Sequence, residues 1–561
     1  MAKYLIILLT TLSLSLSAQV TSNVQAIEFP EVFTNSSDSI SFYIINKSQN
    51  NVIIKMSNLK DVYTLSDTMI SISSFDSSIV WVKYSPDQNV IDNDLIFITS
   101  DDSLVGTVIS LSGSGKFGDS YDATTFNLYD IQLKNALTQL VSNHYSLGYN
   151  LARDKMFMEI DNQRVNGQGA TVNTLECVYT GRLAVGYTSR TDAQSTTYNF
   201  NTEHTWPQSN FSEAEPMKSD LYHLYPTDVT ANSMRANYPF GNVVSNITWQ
   251  NAGSKLGTNN LGQIVFEPRD VHKGNVSRSM FYFITCYPIN YGGFFTQTQE
   301  NVFRQWNKLD PVDLAESNRN NAIAALQLKR NPFIDHPEFV ERIYSFATNN
   351  TRPTFAKLNA LPFKINFDSV VINNFAARQV YITNEGNAQL VIDSVTISDA
   401  NFMIDKNSFS VPPFSVKKIL LQFNPEMIKS YHAVVTVYSN VGTKTIIITG
   451  IGKDNTVNVN DKKILPLSFS LEQNYPNPFN PSTKIIWQSP VSGWQTLKVY
   501  DLLGREVATL IDEYKQAGKY EIEFNLTQFG SKDFSAITSG VYFYQLRAGD
   551  FIQSRKMILM K

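Results

Sequence analysis

The amino-acid sequence predicts a multidomain chain in which one central α+β domain is accompanied by three all-β sandwich modules. The chain has 561 residues, several times the length of a usual domain, so it should form several separate cores. A repeat of about ninety residues with alternating apolar and polar side chains lies on both sides of the centre, which favours β modules there. The centre instead has apolar residues at helical spacing.

Residues 1–18 have the pattern of a cleaved secretion signal. Lys3 precedes an apolar run from Tyr4 to Leu16, and the segment ends at the small residue Ala18, as expected before a signal-peptidase cut. This run is too short to span a bilayer, and no other segment approaches the roughly 20 apolar residues that a membrane helix needs. We therefore expect an exported protein whose mature chain has no transmembrane segment.

The internal repeat predicts β-sandwich modules at 19–116 and 356–453. Ile27-Glu28-Phe29 corresponds to Ile365-Asn366-Phe367, and the closing segments GTVISLSGSGK and GTKTIIITGIGK are alike. The period-two alternation and the turns rich in Asn, Ser, Asp and Gly are typical of an antiparallel β-sandwich. Each copy resembles the immunoglobulin-like modules of the ASPM, SPD-2 and Hydin type.

The segment 117–355 has a different pattern, which predicts a mixed α+β domain. Leu133, Leu137 and Val141 recur at helical spacing, as do Met280 and Ile284 further along. A third helix is predicted to begin at Asp310-Pro311, where Asp caps the first turn and Pro suits the first helical position. Long polar loops connect these helices.

A polar linker, 454–466, separates the second repeat from a last β module at 467–561. This module contains LEQNYPNPFNPSTKI and SGVYFYQLRAG and ends in a basic tail, with glycines placed at turns. It resembles the type A C-terminal sorting domain of the type IX secretion system. The resemblance implies passage through the periplasm, recognition by the type IX secretion machinery, and either release or attachment at the cell surface.

Charge and cysteine content restrict the remaining alternatives. The net charge of −4 excludes a protein covered in basic surface, so contact with a nucleic acid would require a local patch. Cys177 and Cys286 lie in a chain predicted to leave the reducing cytoplasm. A disulfide between them and two separate buried thiols both remain open.

Four ordered motifs in the central segment point to its chemistry: NTEHTWPQSNF from Asn201, SDLYHLYPTDVTANSMRANYPFGNV from Ser219, FEPRDVHKGNVSRSMFYFITCY from Phe266 and KRNPFIDHPEFVERI from Lys329. Together they resemble the bacterial endonuclease I family, whose nucleases have a ββα-metal active site. The resemblance covers most of 117–350. It implies a nuclease that hydrolyses phosphodiester bonds of DNA with little sequence preference; the sequence leaves RNA open as a further substrate.

Phosphodiester hydrolysis requires a base for water, a cation, and donors that hold the phosphate. A neutral imidazole accepts a proton at ordinary pH, so His204 is the expected general base. By the resemblance, Glu203 and Asn232 hold the metal; their oxygens suit Mg²⁺, with Ca²⁺ and Mn²⁺ as alternatives. Arg235 is three residues after Asn232, on the same face of a helix, and is predicted to bind a phosphate.

Two features of these motifs complicate the assignment. Many relatives have a histidine where this chain has Tyr222, so Tyr222 and His223 are predicted only to support the site or contact the phosphate. Neighbouring residues of a regular strand point to opposite sides. Glu203 and His204 can therefore serve one metal site only at a strand end or bulge.

Three further basic residues, Arg269, Lys273 and Arg278, form a local excess of positive charge that is predicted to follow a phosphate backbone. The alternative function is a cell-surface adhesion or binding protein in which the β-sandwiches bind a partner and the nuclease domain is degenerate. The presence of Glu203 and His204 argues against that alternative.

Overall fold

The computed structural model describes residues 20–101, 104–454, 466, 468–525, 538–549 and 551–560. The predicted secretion signal, 1–18, and nearly all of the predicted linker at 454–466 lie outside the described residues. Within the described residues, no helix is both long and apolar enough to cross a membrane.

The first β-rich region consists of two facing sheets. The strand orders are β1-β3-β7-β5 and β2-β9-β8-β4-β6. Alternate side chains point into the space between the sheets, as in β7, where every second residue is buried from Val80 onward. The strands are β1 (Val20–Ser22), β2 (Ala26–Phe33), β3 (Asp38–Asn46), β4 (Val52–Ser57), β5 (Tyr63–Leu65), β6 (Met69–Ile72), β7 (Ser77–Tyr84), β8 (Ile91–Ser100) and β9 (Gly106–Lys116).

The central region combines helices with short sheets around one large apolar core. Its strands form two hairpins, β10-β11 and β12-β13, and one three-stranded sheet, β14-β15-β16. These strands are β10 (Thr174–Glu176), β11 (Leu183–Val185), β12 (Phe200–His204), β13 (Leu224–Asp228), β14 (Ser245–Asn251), β15 (Ser254–Thr258) and β16 (Ile264–Glu267). The helices are α1 (Asp122–Thr125), α2 (Asp130–Val141), α3 (Tyr149–Lys155), α4 (Arg190–Ala193), α5 (Val229–Arg235), α6 (Asp270–Cys286), α7 (Gln297–Leu309), α8 (Leu314–Gln327), α9 (Pro332–Asp335) and α10 (Phe339–Arg342).

The helical spacing in the sequence corresponds to α2 and α6, which are confirmed. Helix α6 is buried along most of its length and crosses the core. The predicted start at Asp310-Pro311 is wrong by three residues, because α8 is capped by Asp313, whose side chain accepts a hydrogen bond from Glu316 N at 2.8 Å. Asp310 instead accepts a hydrogen bond from Gly274 N on α6. Either aspartate could cap a helix, since both have a carboxylate that accepts hydrogen bonds. Asp310 does not do so because its carboxylate is bonded to α6.

The second β-rich region has the same strand order as the first. Its sheets are β17-β19-β23-β21 and β18-β25-β24-β20-β22, so the sequence repeat is a structural repeat. Not every ladder is antiparallel as predicted: β2 pairs with β9, and β18 with β25, in parallel. The strands are β17 (Leu358–Leu361), β18 (Lys364–Val371), β19 (Ala376–Asn384), β20 (Leu390–Ile397), β21 (Phe402–Ile404), β22 (Phe409–Val411), β23 (Ser415–Phe423), β24 (Ser430–Ser439) and β25 (Gly442–Lys453).

Glycines in the closing strands explain part of the repeat. A Cβ at Gly113 would overlap the ring of Tyr84, and a Cβ at Gly450 would overlap the ring of Phe423. Two residues further along each strand, a Cβ added at the next glycine would overlap the carbonyl oxygen of a neighbouring residue. Each copy therefore has glycine at the two positions where its closing strand lies directly against an aromatic ring and against the backbone of a turn.

The two repeated regions contact each other. Leu95, Phe97 and Val108 of the first region form a small apolar cluster with Leu361 of the second. Lys418 also donates a hydrogen bond to Gln25 at 3.1 Å. The two regions that flank the central one in sequence are therefore neighbours in space.

The last β-rich region has sheets of order β26-β27-β30 and β29-β28-β31-β32 around a separate core. Within the Pro-rich motif, Asn474 is buried and donates to Thr483 Oγ1 at 3.0 Å, while Phe479 packs in the core. The strands are β26 (Ser470–Leu471), β27 (Ser482–Ser489), β28 (Gly493–Tyr500), β29 (Glu506–Lys515), β30 (Gly518–Asn525), β31 (Gly540–Ala548) and β32 (Phe551–Leu559).

Candidate catalytic and metal-binding site

The hairpin β12-β13 carries the Glu-His pair at the end of a strand. Glu203 lies opposite Tyr225, and His204, the last residue of β12, lies opposite Leu224. Glu203 and His204 have different side-chain neighbours, as expected for successive residues of a strand. The strand end that the sequence analysis required is therefore present.

Helix α5 follows β13 directly and brings Asn232 to the same hairpin. Asp228 caps the helix by accepting a hydrogen bond from Ala231 N at 2.8 Å. Asn232 then donates through Nδ2 to the carbonyl oxygen of Thr202, the residue before Glu203, at 3.2 Å. Two strands and one helix thus hold the predicted carboxylate, imidazole and amide in one compact unit.

Glu203 is almost completely buried, with 2% of its surface exposed. Its Oε1 accepts a hydrogen bond from Tyr179 at 2.8 Å and lies 2.9 Å from Nε of Arg235. Burial raises the pKa of the Glu203 carboxyl, and the charge of Arg235 and the Tyr179 hydroxyl oppose that rise. Among the described residues, Oε2 accepts no hydrogen bond, which leaves one carboxylate oxygen for another ligand.

Arg235, predicted to bind a phosphate, is fully occupied inside the protein. Its two terminal nitrogens donate to the carbonyl oxygens of Thr205 and Ala236, both at 2.7 Å, and its guanidinium lies over the ring of Phe240. Only 1% of the residue is exposed. The structure therefore places Arg235 behind Glu203 as its ionic partner rather than toward solvent.

His204 is buried and bonded so that one ring nitrogen can act as a base. Its Nε2 lies 3.3 Å from the carbonyl oxygen of Lys218. Since a carbonyl oxygen only accepts, Nε2 carries the proton and Nδ1 has the lone pair. Burial first, and then the charge of His223, hold the pKa of His204 well below its usual value, so the ring is neutral at ordinary pH.

Tyr222 and His223 belong to the core that supports this hairpin. Tyr222 donates its hydroxyl to the carbonyl oxygen of Lys329 at 2.7 Å, and Nε2 of His223 lies 2.6 Å from the carbonyl oxygen of Met217. His223 is fully buried and its ring packs 4.9 Å from that of Phe283. The structure gives neither side chain a path to a substrate.

The three other basic residues of the predicted phosphate track are neutralised by carboxylates. Their ion pairs are Arg269 with Glu176 at 2.6 Å, Lys273 with Glu267 at 2.7 Å, and Arg278 with Glu316 at 2.5 Å. Arg278 is also completely buried within the helical core. The predicted local excess of positive charge is therefore largely cancelled in the folded protein.

Sequence reasoning missed a different set of basic residues beside His204. Tyr149 on α3 lies with its ring 5.6 Å from the imidazole of His204. The guanidinium of Arg153 lies 4.8 Å from the centre of that tyrosine ring, and the ammonium of Lys218 lies 4.9 Å from it. The spacing of Tyr149 and Arg153, four residues apart, was the available indication that they share a helix face.

Cys177 and Cys286 are both free, buried thiols, so they do not form the disulfide that the sequence left open. Cys177 contacts Thr227, whereas Cys286 contacts His144. His144, Cys286 and Asp220 place potential metal-binding atoms within 4.8 Å of one another. Asp220 already accepts hydrogen bonds from Tyr287 and Gln327, and this buried group shares no residue with the Glu203 site.

Three family models match separate parts of the chain. The model for Endonuclease I matches residues 130–338, the model for the ASPM, SPD-2 and Hydin domain matches 357–447, and the model for a secretion system C-terminal sorting domain matches 473–560. These matches confirm the resemblance of the central segment to endonuclease I, of the second repeat to the ASPM, SPD-2 and Hydin type, and of the last module to the sorting domain.

The chain is also similar to extracellular and periplasmic nucleases. It is 32% identical over 228 residues to an extracellular ribonuclease of Bacillus amyloliquefaciens, which is 38% of this chain and 73% of that protein. It is 30% identical over 246 residues to an extracellular ribonuclease of Bacillus subtilis (strain 168), 41% of this chain and 76% of that protein. A periplasmic deoxyribonuclease of Aeromonas hydrophila is 28% identical over 129 residues, covering 22% and 50% of the two chains.

Proposed function

The chain belongs to the endonuclease I family, and from this premise we propose that it hydrolyses phosphodiester bonds of both DNA and RNA with little sequence preference. The protein is a multidomain endonuclease that is secreted or attached to the cell surface, as its sorting domain and its extracellular relatives indicate. The two relatives that are 32% and 30% identical to the chain are named extracellular ribonucleases. RNA is therefore proposed as a substrate alongside DNA.

The observation that carries the proposal is the strand–strand–helix unit at 200–235. It holds Glu203, His204 and Asn232 by short-range contacts, with the Asn232 amide bonded to the strand that bears the other two. This arrangement supports a ββα-metal active site in the central domain. No such grouping of base, carboxylate and amide is needed to stabilise a hairpin, whereas phosphodiester hydrolysis needs all three.

The residues of the unit fit a hard divalent cation, for which we propose Mg²⁺, with Ca²⁺ and Mn²⁺ as alternatives. Glu203 offers Oε2, and Asn232 offers Oδ1 because its Nδ2 is held by Thr202. Oxygen donors in this small number suit a cation that also binds water and phosphate oxygens. When bound, the cation would neutralise negative charge that develops on the phosphate and the leaving oxygen.

His204 supplies the base in this mechanism. Its neutral ring takes a proton from water at Nδ1, while the contact of Nε2 with the Lys218 carbonyl oxygen fixes the orientation and the tautomer. Arg235 and Tyr179 both contact Oε1 of Glu203 and so fix the orientation of its carboxylate. Oε2 is the oxygen that remains for the cation. Tyr222 and His223 keep the hairpin rigid.

The domain limits are part of the proposal. We assign 117–355 to the catalytic domain, 19–116 and 356–453 to immunoglobulin-like modules, and 467–561 to the sorting domain, a third module of immunoglobulin-like form. The first two modules act as spacers or weak adhesion domains, because each is built around an apolar core between its facing sheets and the sequence shows no ligand chemistry in them.

A direct test uses the purified full chain with end-labelled DNA and RNA in Mg²⁺ and in EDTA. The proposal expects cleavage of both substrates in Mg²⁺, none in EDTA, and none by His204→Ala. Cleavage of DNA alone would remove the RNA part of the proposal. If the folded wild-type chain cleaves neither substrate with any of the three cations, the adhesion alternative replaces the nuclease.

A further inference from the structure

Arg153 is a half-buried cation that has no carboxylate partner in the described part of the chain. Its Nε donates to Oγ1 of Thr202 at 3.2 Å, and its remaining nitrogens have no hydrogen-bond partner among these residues. The neighbouring cations differ, since Arg190 pairs with Asp154 at 2.8 Å and Lys218 with Glu213 at 2.6 Å.

The guanidinium of Arg153 loses part of its solvation without forming a close ion pair in the described part of the chain. Burial lowers the pKa of Arg153, and the nearby charge of Arg190 acts in the same direction, while Tyr149 and the carboxylate of Asp154 oppose the shift. The Tyr149 ring offsets part of the cost by a cation–π contact at 4.8 Å. Side chains that are held in such positions without a charge partner commonly serve a ligand of opposite charge.

The location of Arg153 identifies that ligand by its chemistry. Thr202 and His204 are two residues apart on β12, so their side chains lie on one face of the hairpin. Arg153 is bonded to Thr202, and Tyr149 lies between Arg153 and the imidazole of His204. Arg153 therefore lies beside the same face of the hairpin as the proposed base.

The other candidate cations are unsuited to this role. Arg235, Arg269 and Arg278 each have a carboxylate within 2.9 Å. A phosphate would have to displace those carboxylates, whereas at Arg153 it would compete only with water. Lys218 lies over the same tyrosine ring but is already paired with the exposed Glu213. Its main contribution to phosphate binding is therefore its positive charge and not a direct hydrogen bond.

We propose that Arg153, oriented by Tyr149 and Thr202 and assisted by Lys218, binds a backbone phosphate of the nucleic acid next to His204. This inference rests on the proposed function, since it names the group that places the substrate strand against the base. A guanidinium presents two N–H donors in a plane and matches two phosphate oxygens. Arg153 is thus a substrate-binding residue.

The test compares Arg153→Ala, Arg153→Lys and the control Arg164→Ala in the full chain. Arg164 is an exposed arginine of the same region, so its removal changes the net charge equally. Binding of fluorescein-labelled single-stranded RNA is measured by anisotropy in EDTA at several salt concentrations, and cleavage is measured separately in Mg²⁺. Thermal melting verifies that each variant is folded.

We expect Arg153→Ala to weaken binding about ten- to a hundredfold, as for the loss of a charge-assisted hydrogen-bonded contact. The slope of log affinity against log salt should fall by about 0.7, as for one lost phosphate contact on a single strand. Arg153→Lys should keep the slope and recover part of the affinity, and Arg164→Ala should match wild type. In Mg²⁺, Arg153→Ala should raise KM more than it lowers kcat.

Equal affinity, salt slope and KM in folded Arg153→Ala and wild type would overturn the inference while leaving the nuclease proposal intact. Failure of the wild-type chain itself to bind and cleave would overturn the proposed function instead. If Arg153→Ala does not fold, Arg153→Gln carries the test. Its amide can still donate to Thr202 but has no charge, so an unchanged salt slope in that variant would also overturn the inference.

Discussion

The side-chain amide of Asn232 donates a hydrogen bond to the carbonyl oxygen of Thr202, at 3.2 Å, and so ties helix α5 to the strand that ends in Glu203 and His204. Because Nδ2 is the donor, the orientation of the amide is fixed and Oδ1 is the atom left for a cation. Asn232→Ala should therefore lose Mg²⁺-dependent cleavage and also about 1 kcal/mol of unfolding free energy. Asn232→Asp is the matched variant, since it keeps an oxygen ligand but loses the donor. If Asn232→Ala cleaved normally at limiting Mg²⁺, the ligand role would be wrong.

His204→Ala should lower kcat by about a hundredfold to ten-thousandfold, the usual contribution of a positioned base. The fold should remain, because among the residues that the structure describes the ring makes one polar contact, with the Lys218 carbonyl oxygen. Steady-state kinetics and circular dichroism test the two parts. Near-normal turnover in this variant would show that another group activates the water.

The pH profile of cleavage follows from the lowered pKa of His204. Burial and the charge of His223 favour the neutral ring, and the neutral ring is the active form of a base. The acidic limb of kcat/KM should therefore lie below pH 6.5, the usual value for histidine, and activity should change little between about pH 6.5 and 8. A titration in which half the activity is lost close to pH 6.5 would contradict the buried, neutral state of this imidazole.

Glu203→Ala should be destabilising as well as inactive. It removes the carboxylate partner of Arg235, and both side chains are nearly fully buried. A buried cation left without its partner costs about 3–5 kcal/mol. Tyr179→Phe serves as the comparison, because it removes one hydrogen bond to Oε1 and keeps the ion pair. Chemical denaturation should rank wild type, Tyr179→Phe and Glu203→Ala in falling stability, and the reverse order of the two variants would refute this account.

His336 should make the central region more stable in mild acid than in mild base. Burial lowers its pKa, but Glu338 and Asp119, each at 2.8 Å from one ring nitrogen, outweigh burial and raise it overall. The folded pKa thus exceeds the unfolded one, so the stabilisation is fully present below about pH 6.5 and disappears as the pH rises through the folded value. Unfolding free energies at pH 5.5 and 8.5 should differ less in His336→Gln than in wild type. An identical pH dependence in both proteins would exclude His336 as its source.

Deletion of residues 363–452 should spare catalysis, because the Glu203 site uses no residue from that region. The truncated chain should nevertheless be less soluble, since it loses Tyr381 and Val416, which pack against the cluster of Leu95, Phe97, Val108 and Leu361. Cleavage per folded molecule and gel filtration separate the two effects. Loss of activity in a monomeric, folded truncation would give the second β-rich region a catalytic role.

The sequence predicted the parts of this molecule that depend on local pattern. The two repeats, α2, α6 and the strand end at His204 all follow from periodicity or from the chemistry of neighbouring residues. The sequence did not predict where arginines point. Asn232 and Arg235 were expected to share one exposed face of α5, but Arg235 turns inward because a buried carboxylate lies behind it.

Arg153 could not be linked to His204 from sequence for a related reason. About fifty residues separate them in the chain, and only the packing of α3 against β12 brings them together. The distribution of basic residues along the sequence indicated a phosphate track at 235–278. In the folded protein, each arginine of this predicted track is paired with a carboxylate. Such ion pairs depend on tertiary contacts, which the spacing of residues along the sequence does not reveal.

The contact between the two repeated regions holds together the two ends of the segment that lies between them in the chain. Cys177, His204 and every other residue of the catalytic region belong to a loop whose two ends stay joined through Leu95, Phe97 and Leu361 even if the loop opens. An excursion of the catalytic region into an unfolded state is then confined, and refolding starts with the ends already near each other. A single cut in that loop would therefore leave the two parts of the chain held together by this contact.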